Sequence, residues 1–305
     1  MTVHGEREII PSVTKPEARR VLTEFTKANN AASRAHDPNL IAATETGPYG
    51  AIDQGRLKSA HALSPGGNPN YAPLELTDAR FAIPRQAGWP KFFVADTDSN
   101  RDVDKYRWLL VFRKDSADAP WKAAYLSLLS NEEMPDFATD SEGYAEPVPL
   151  GRKSDLAIAP NALSRAYASY LQDGEGGLFA DGQQTSQERL RRAKLANRPG
   201  SSNQYIDLPA RGDTFAPVAL RTADGGALAF FSATHHQRHT AARGLKLRVK
   251  PEVEAMMTGT AKQSVTFIRV SDAAVTIPPR SGGAGGAGQV VFLNRLEGIT
   301  AARGS

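Results

Sequence analysis

Twice along this chain a stretch with helical periodicity gives way to a stretch with strand texture, and that order constrains the fold more than any other feature. "TKPE", Thr14 to Glu17, has capping-box spacing, with Pro16 in the first turn where its missing N–H costs nothing. Val21, Leu22, Phe25, Ala28 and Ala32 follow at three- and four-residue steps, which predicts one amphipathic helix with a single apolar stripe. Asp37 and Pro38 predict a second, shorter helix through Leu40 and Ile41 that stops near Gly47 and Pro48, with more helix up to Leu63. After the turn-rich "SPGGNPN" come Phe81, Ile83, Phe92, Phe93 and Val94, then "YRWLLVFRK" and "WKAAYLSLL", all rich in strand formers.

The second half repeats this order. Leu163, Ala166, Tyr167, Tyr170 and Leu171 form a helical stripe behind Pro160, and "TSQE", Thr185 to Glu188, caps a further helix that ends at Pro199 and Gly200. "VALRT", the turn "ADGG" and "ALAFF" predict a hairpin, followed by strands in "LKLRV", "SVTFIRV" and "QVVFL". Between the halves, Glu146 to Asp155 is polar and contains Pro and Gly, the composition of a linker. The expectation is an α+β chain of two tandem domains, 14–147 and 156–302, each with amphipathic helices packed on a curved antiparallel sheet.

The chain has no cysteine, which removes disulfide frameworks, thiolate metal sites and thiol nucleophiles together. It opens without the apolar core of a signal peptide, and no run is long enough to cross a bilayer as a helix. Up to Asp155 there are 19 basic and 22 acidic residues, and the remainder holds 18 and 11. The second half is therefore the one expected to face something anionic.

Several motifs imitate known chemistry. Gly283 to Gly288 spells the G-x-G-x-x-G of a dinucleotide turn, but its glycines precede the strand-like Val290 to Leu293 instead of opening a helix. An exposed loop that binds no nucleotide is expected, and no cofactor is assigned. Asp96, Asp98, Asn100, Asp102 and Asp104 alternate like the first half of a calcium loop. Arg101 stands where that loop needs glycine and Arg107 where it needs a bidentate Glu, so a polar hairpin tip is the preferred reading and weak calcium binding the alternative. His235, His236 and His239 form a cluster in which imidazoles four apart can share a metal if the segment is helical. They follow the strand-like "ALAFF" with no Glu between them, so a loop is expected and no metal is assigned. "SVTK", Ser12 to Lys15, lacks the partner motifs of the serine enzymes it mimics, and Thr14 serves better as a helix cap.

Two basic segments remain. "QERLRRAKLANR" gathers Arg189, Arg191, Arg192, Lys194 and Arg198 on a helix whose apolar side is Leu190, Ala193 and Leu195. "GLKLRVK" places Lys246, Arg248 and Lys250 on alternate positions of a predicted strand. Arg189, Arg191, Arg192, Lys194, Lys246, Arg248 and Lys250 are the candidate anion-binding residues, with anionic membrane or cell-wall polymer as partner. Nucleic acid is disfavoured because no aromatic residue is interleaved with the cations. No catalytic residue is assigned.

The Val21/Leu22/Phe25 helix and the strand pair "RWLLVFRKDSADAPWKAAYLSLL", with Trp121-Lys122 opening its second strand, resemble the cystatin-like or NTF2-like architecture. In the second half the resemblance is in element order alone. "EARRVLTEFTKANNAASRAHD" is also similar to the exported portion of actinobacterial lipoproteins of unknown function. That family carries a signal peptide and a lipid-bearing cysteine, and neither is present in this sequence. Either the chain is a trimmed form or the export inference fails. The architecture and the missing motifs favour a non-enzymatic binding or scaffold protein, and the resemblance implies the cell envelope, with a cytoplasmic location as the alternative. The competing function is a small-molecule enzyme of isomerase or dehydratase type, using a polar residue beneath Trp89, Trp108, Trp121 and Tyr125.

Overall fold

Thr14 caps the first long helix as its spacing predicts, accepting the Glu17 backbone N–H on Oγ1 at 3.3 Å. The computed structural model describes residues 8–102, 105–151, 153–174, 176–280 and 288–305. A short strand β1 (Ile10–Pro11) precedes α1 (Lys15–Ala35), and α2 (Pro38–Thr44) and α3 (Gly47–Leu63) follow. Gly47 and Pro48 open α3 instead of stopping a helix. Proline suits a first turn, and Gly47 takes a φ of +58° that a side chain would resist.

The first sheet is antiparallel in the order β2 (Leu76–Ala82), β4 (Lys91–Ser99), β5 (Arg107–Lys114), β6 (Lys122–Leu129), while β3 (Arg85–Gln86) pairs with β1. The second half opens with α4 (Leu163–Asp173) and α5 (Ser186–Ala196). Its strands are β7 (Asn197–Arg198), β8 (Ser201–Pro209), β9 (Val218–Arg221), β10 (Ala227–Ala241), β11 (Met257–Thr258), β12 (Ser264–Ile277) and β13 (Val291–Gly304), with a single-turn α6 (Pro251–Glu254) before β11. They form one sheet in the order β11-β13-β12-β10-β8-β7, in which β9 shares an edge of β10 with β8. The chain is α+β with open, largely antiparallel sheets.

Because side chains alternate along strands, each sheet presents two apolar faces. On one face of the first sheet Phe93, Ala95, Leu110 and Phe112 pack against Val21, Leu22 and Phe25 of α1. On the other, Phe92, Val94, Leu109, Val111 and Tyr125 meet Val218, Leu220, Leu228, Phe230 and Ala274 of the second sheet. The far face of that second sheet carries Ala229, Phe231, Ala273 and Val275 beneath Leu163, Tyr167 and Leu171 of α4. The layers therefore run α1, sheet, sheet, α4, and the middle core is built by both halves. Close approach of α3 to β13 depends on Gly55, where a Cβ would stand 2.4 Å from the Ile299 carbonyl oxygen.

Three further expectations change, and a fourth falls on residues that are not described. Glu146 to Asp155 is pinned instead of linking freely: Glu146 accepts the Arg221 N–H, Val148 donates to Ala219 O, and Val148 is buried under α4. "LKLRV" forms no ladder, although its alternation survives, with Leu247 and Val249 half-buried and Lys246, Arg248 and Lys250 exposed. "HHQRH" lies within β10, not in a loop. The glycine-rich stretch from 281 to 287, and with it most of the imitation nucleotide motif, lies outside the described residues.

Candidate functional site

The face of the second sheet beneath α4 and α5 carries the densest polar network of the described residues. Along β8, Asn203, Tyr205 and Asp207 point to one face and Gln204, Ile206 and Leu208 to the other. Asp207 stands directly opposite His235 of β10, and Ser271 of β12 lies one strand further on the same face. His235 Nδ1 is 2.5 Å from Asp207 Oδ1, and Nε2 is 2.9 Å from Ser271 Oγ. An ionised carboxylate only accepts, so Nδ1 carries the proton and Nε2 accepts from the serine hydroxyl. From above, Arg192 of α5 bridges Asp207 Oδ2 at 2.6 Å and Glu188 Oε1 at 2.7 Å, while Arg191 forks onto both oxygens of Glu188.

These contacts set the charge states. Burial favours the neutral imidazole and pulls the His235 pKa below its ordinary value, with Asp207 opposing the shift. Burial would raise Asp207, but hydrogen bonds from His235 and Arg192 hold it below the usual carboxylate range. Glu188 is likewise kept low by Arg191 and Arg192 against its own desolvation. Around this centre, Arg295 pairs with Glu297 and stacks over Tyr167, and Arg269 reaches Glu297 at 3.4 Å.

Asp207, His235 and Ser271 have the order of hydrogen bonds used by serine hydrolases. Access is what they lack. Ser271 is 0 % exposed and His235 3 %, and the Tyr167 ring packs edge-on to His235 with centroids 6.2 Å apart. A neighbouring groove of about 360 Å³ between α4, α5 and β8 is lined by Asp207, Arg192 and Tyr205 but not by His235 or Ser271. In this arrangement the relay ties α5 and three strands together, and no acyl group reaches its hydroxyl.

The predicted basic residues divide into two sets. Helix α5 is turned opposite to the predicted face: Glu188 and Arg192 are buried, while Leu190, at 60 % exposed, and Ala193 face solvent. Arg191 is tied to Glu188, and Arg189 lies half-buried over the Tyr170 ring. Lys194, Lys246, Arg248 and Lys250 are exposed, with no ion pair among the described residues. The end of α5, the turn between β7 and β8, and residues 242–246 come together, since Ala242 donates to Gly200 O and Asn203 Nδ2 to Leu195 O. Arg198 and Arg243 join the exposed cations there.

The other candidates are dispersed. Asp96 and Asp98 lie on β4, where the Arg107 guanidinium bonds both together with Asp78, and Asn100 caps the backbone at Glu75. Arg107, at the position where a calcium loop needs Glu, thus supplies the charge these acids face. His239 bonds Asn203 at 3.1 Å on the His235 face, and His236 points to the opposite face. Trp121 and Trp108 pack in the α1 core, donating to Glu17 and Asp102. Tyr125 lies on the opposite face of the first sheet, and Trp89 is at its rim. Asp207, Ser271 and Glu188 were not foreseen. The signals for Asp207 and Glu188 are the parity of polar residues along "SSNQYIDLP" and the i,i+4 pair Glu188/Arg192; neither reveals register, and neither points to Ser271.

A family model described as "Domain of unknown function (DUF8094)" matches residues 10–304. An uncharacterized lipoprotein of Streptomyces avermitilis is 46% identical over all of this chain and 90% of its own length. One of Streptomyces coelicolor is 47% identical with the same coverage, and a second from that organism is 28% identical over 96% of this chain and 82% of its own length. No solved structure matches.

Proposed function

We propose, for a chain that belongs to the DUF8094 family, a non-enzymatic binding or scaffold role at the bacterial cell envelope. The lipoprotein names of its relatives support the location, and no helix among the described residues is long and apolar enough to cross a membrane. Tandem NTF2-like domains remain our interpretation of the helix-then-sheet order in each half. The second half acts through its cationic edge on an anionic surface, either lipid head groups or a wall polymer.

One observation carries this choice over an enzyme: the apolar part of each helix-covered sheet face is filled by its own side chains. Phe25, Phe93, Phe112 and Trp121 fill the first, and Tyr167, Phe179, Phe231 and Phe292 the second. At the edge, by contrast, Leu245 is 54 % exposed beside Gly200, with Arg243 and Lys246 near it in sequence and the exposed Lys194 and Arg198 on the adjoining end of α5 and β7. An apolar tip among cations suits an interface where the chain meets phosphates and the tip meets hydrocarbon. Each cation near such a surface contributes about 1 kcal/mol.

Sedimentation with anionic vesicles, and separately with an anionic wall polymer, tests this at low and high salt. The parent should bind at low salt and release above physiological strength. Lys194→Glu/Lys246→Glu/Lys250→Glu should bind far more weakly, whereas Arg191→Gln should not differ from the parent. Salt-independent binding, or a triple variant that binds like the parent, would remove the proposal.

A further inference from the structure

A second concavity lies away from the cationic edge, where the first sheet meets the segment that follows it. It encloses about 310 Å³ and its walls are largely apolar, among them Phe92, Val148, Leu150 and Val218. On the scale of about 30 Å³ per water-sized group it holds about ten heavy atoms.

Its polar lining is unbalanced. Arg113 is buried, and because it pairs with Phe92 across the ladder it shares the face that borders the cavity. Arg113 bonds through Nε alone, to the exposed Asp115 at 2.6 Å, and its two terminal nitrogens have no acceptor among the described residues. Lys91 also borders the cavity, but its side chain shares the face of Lys114, opposite to that of Phe92 and Arg113; it is only 4 % exposed and has neither an ion pair nor a side-chain hydrogen bond among those residues. It stands directly opposite Lys114 in the ladder, an arrangement of like charges that costs stability. Both ammonium groups lie against one indole, Lys91 Nζ at 5.4 Å and Lys114 Nζ at 5.8 Å from the Trp89 ring centroid. Burial pulls the Lys91 pKa down, as it does for a cation short of counter-charge. Asp213 is the one carboxylate among the cavity's lining residues; it is exposed and forms no ion pair with Arg113.

We propose that this cavity is a binding site for a small amphiphilic carboxylate, its chain against Phe92, Val148, Leu150 and Val218 and its carboxylate on the free end of Arg113. Two parallel N–H donors match the fork of a carboxylate, and the apolar walls reject a fully hydrated anion. The site depends on contacts between the two halves and is independent of the cationic edge.

Octanoate, with ten non-hydrogen atoms, is the probe. Titration calorimetry on the full chain should show saturable binding of octanoate, and at least about tenfold weaker binding of 1-octanol and of acetate, since each lacks one half of the recognition. Arg113→Met should weaken octanoate about tenfold or more. Because that variant alters a buried residue, Leu150→Trp provides a second route: it leaves Arg113 in place, fills the half-exposed rim, and should abolish binding while the melting temperature is held or raised. No saturable heat from octanoate, equal affinity for octanol, or unchanged affinity in folded Leu150→Trp would each overturn the assignment.

Discussion

Replacing Phe230 with alanine tests whether the two halves share a core. Phe230 belongs to the second half, is 1 % exposed, and packs its ring 6.1 Å from that of Tyr125 in the first sheet, among Val94, Leu109 and Val111. Truncating a buried phenylalanine costs about 3–5 kcal/mol, because the transfer energy is lost and the cavity collapses only in part. At roughly 2 °C per kcal/mol for a chain of this size, the melting temperature should fall by about 6–10 °C. All three tryptophans, Trp89, Trp108 and Trp121, are in the first half. Tryptophan fluorescence therefore reports on the half that was not mutated, and far-UV circular dichroism reports on both. The expected outcome is one transition whose midpoint moves equally by both probes. A fluorescence midpoint that stays with the parent while the circular dichroism splits into two steps would refute the shared core and restore 14–147 and 156–302 as independent units.

Three further outcomes follow from the same contacts. Asp272 is fully buried between the sheets, with one oxygen accepting the Leu126 N–H and the other unpartnered, and burial raises its pKa well above the ordinary value. Its protonated form is favoured in the folded state, so stability falls as pH rises past the unfolded value near 3.9. Asp272→Asn should gain stability at pH 7 in urea denaturation and lose that gain below about pH 4. His235 has the opposite sign: its lowered pKa gives stability that is whole above about pH 6.5 and drains as pH falls toward the folded value, so His235→Gln should flatten the acid limb below about pH 6.5. Gly55→Val should destabilise by about 1–3 kcal/mol or more by thermal melting, since its Cβ meets the Ile299 backbone, whereas the same change at the open Gly66 should cost far less.

Much of the fold is legible in the sequence because it is set locally. Thr14, Pro16 and the Val21/Leu22/Phe25 stripe specify α1 without outside help, and Asp224-Gly225 between two apolar runs specifies the β9–β10 hairpin. Failures occur where a distant partner decides. Leu190 and Ala193 read as the apolar side of α5, yet the ion pair from Arg192 to Asp207, on a strand that comes later, turns the charged side inward. "LKLRV" has the alternation of a strand but no neighbour to pair with. Glu146 to Asp155 has the composition of a linker, yet β9 offers it backbone partners. The relay of Asp207, His235 and Ser271 depends on the register of three strands, which one-dimensional spacing does not encode.

The proposal that the second half meets an anionic surface through its edge is tested most directly by hydrogen exchange of the full chain with and without anionic vesicles. Added protection should appear at residues 190–198 and 242–250, should be absent from the first sheet and from α1, and should fade once salt shortens the Debye length below about 8 Å. Protection centred on the first half, or none at either edge segment under conditions where the protein sediments with the vesicles, would contradict it.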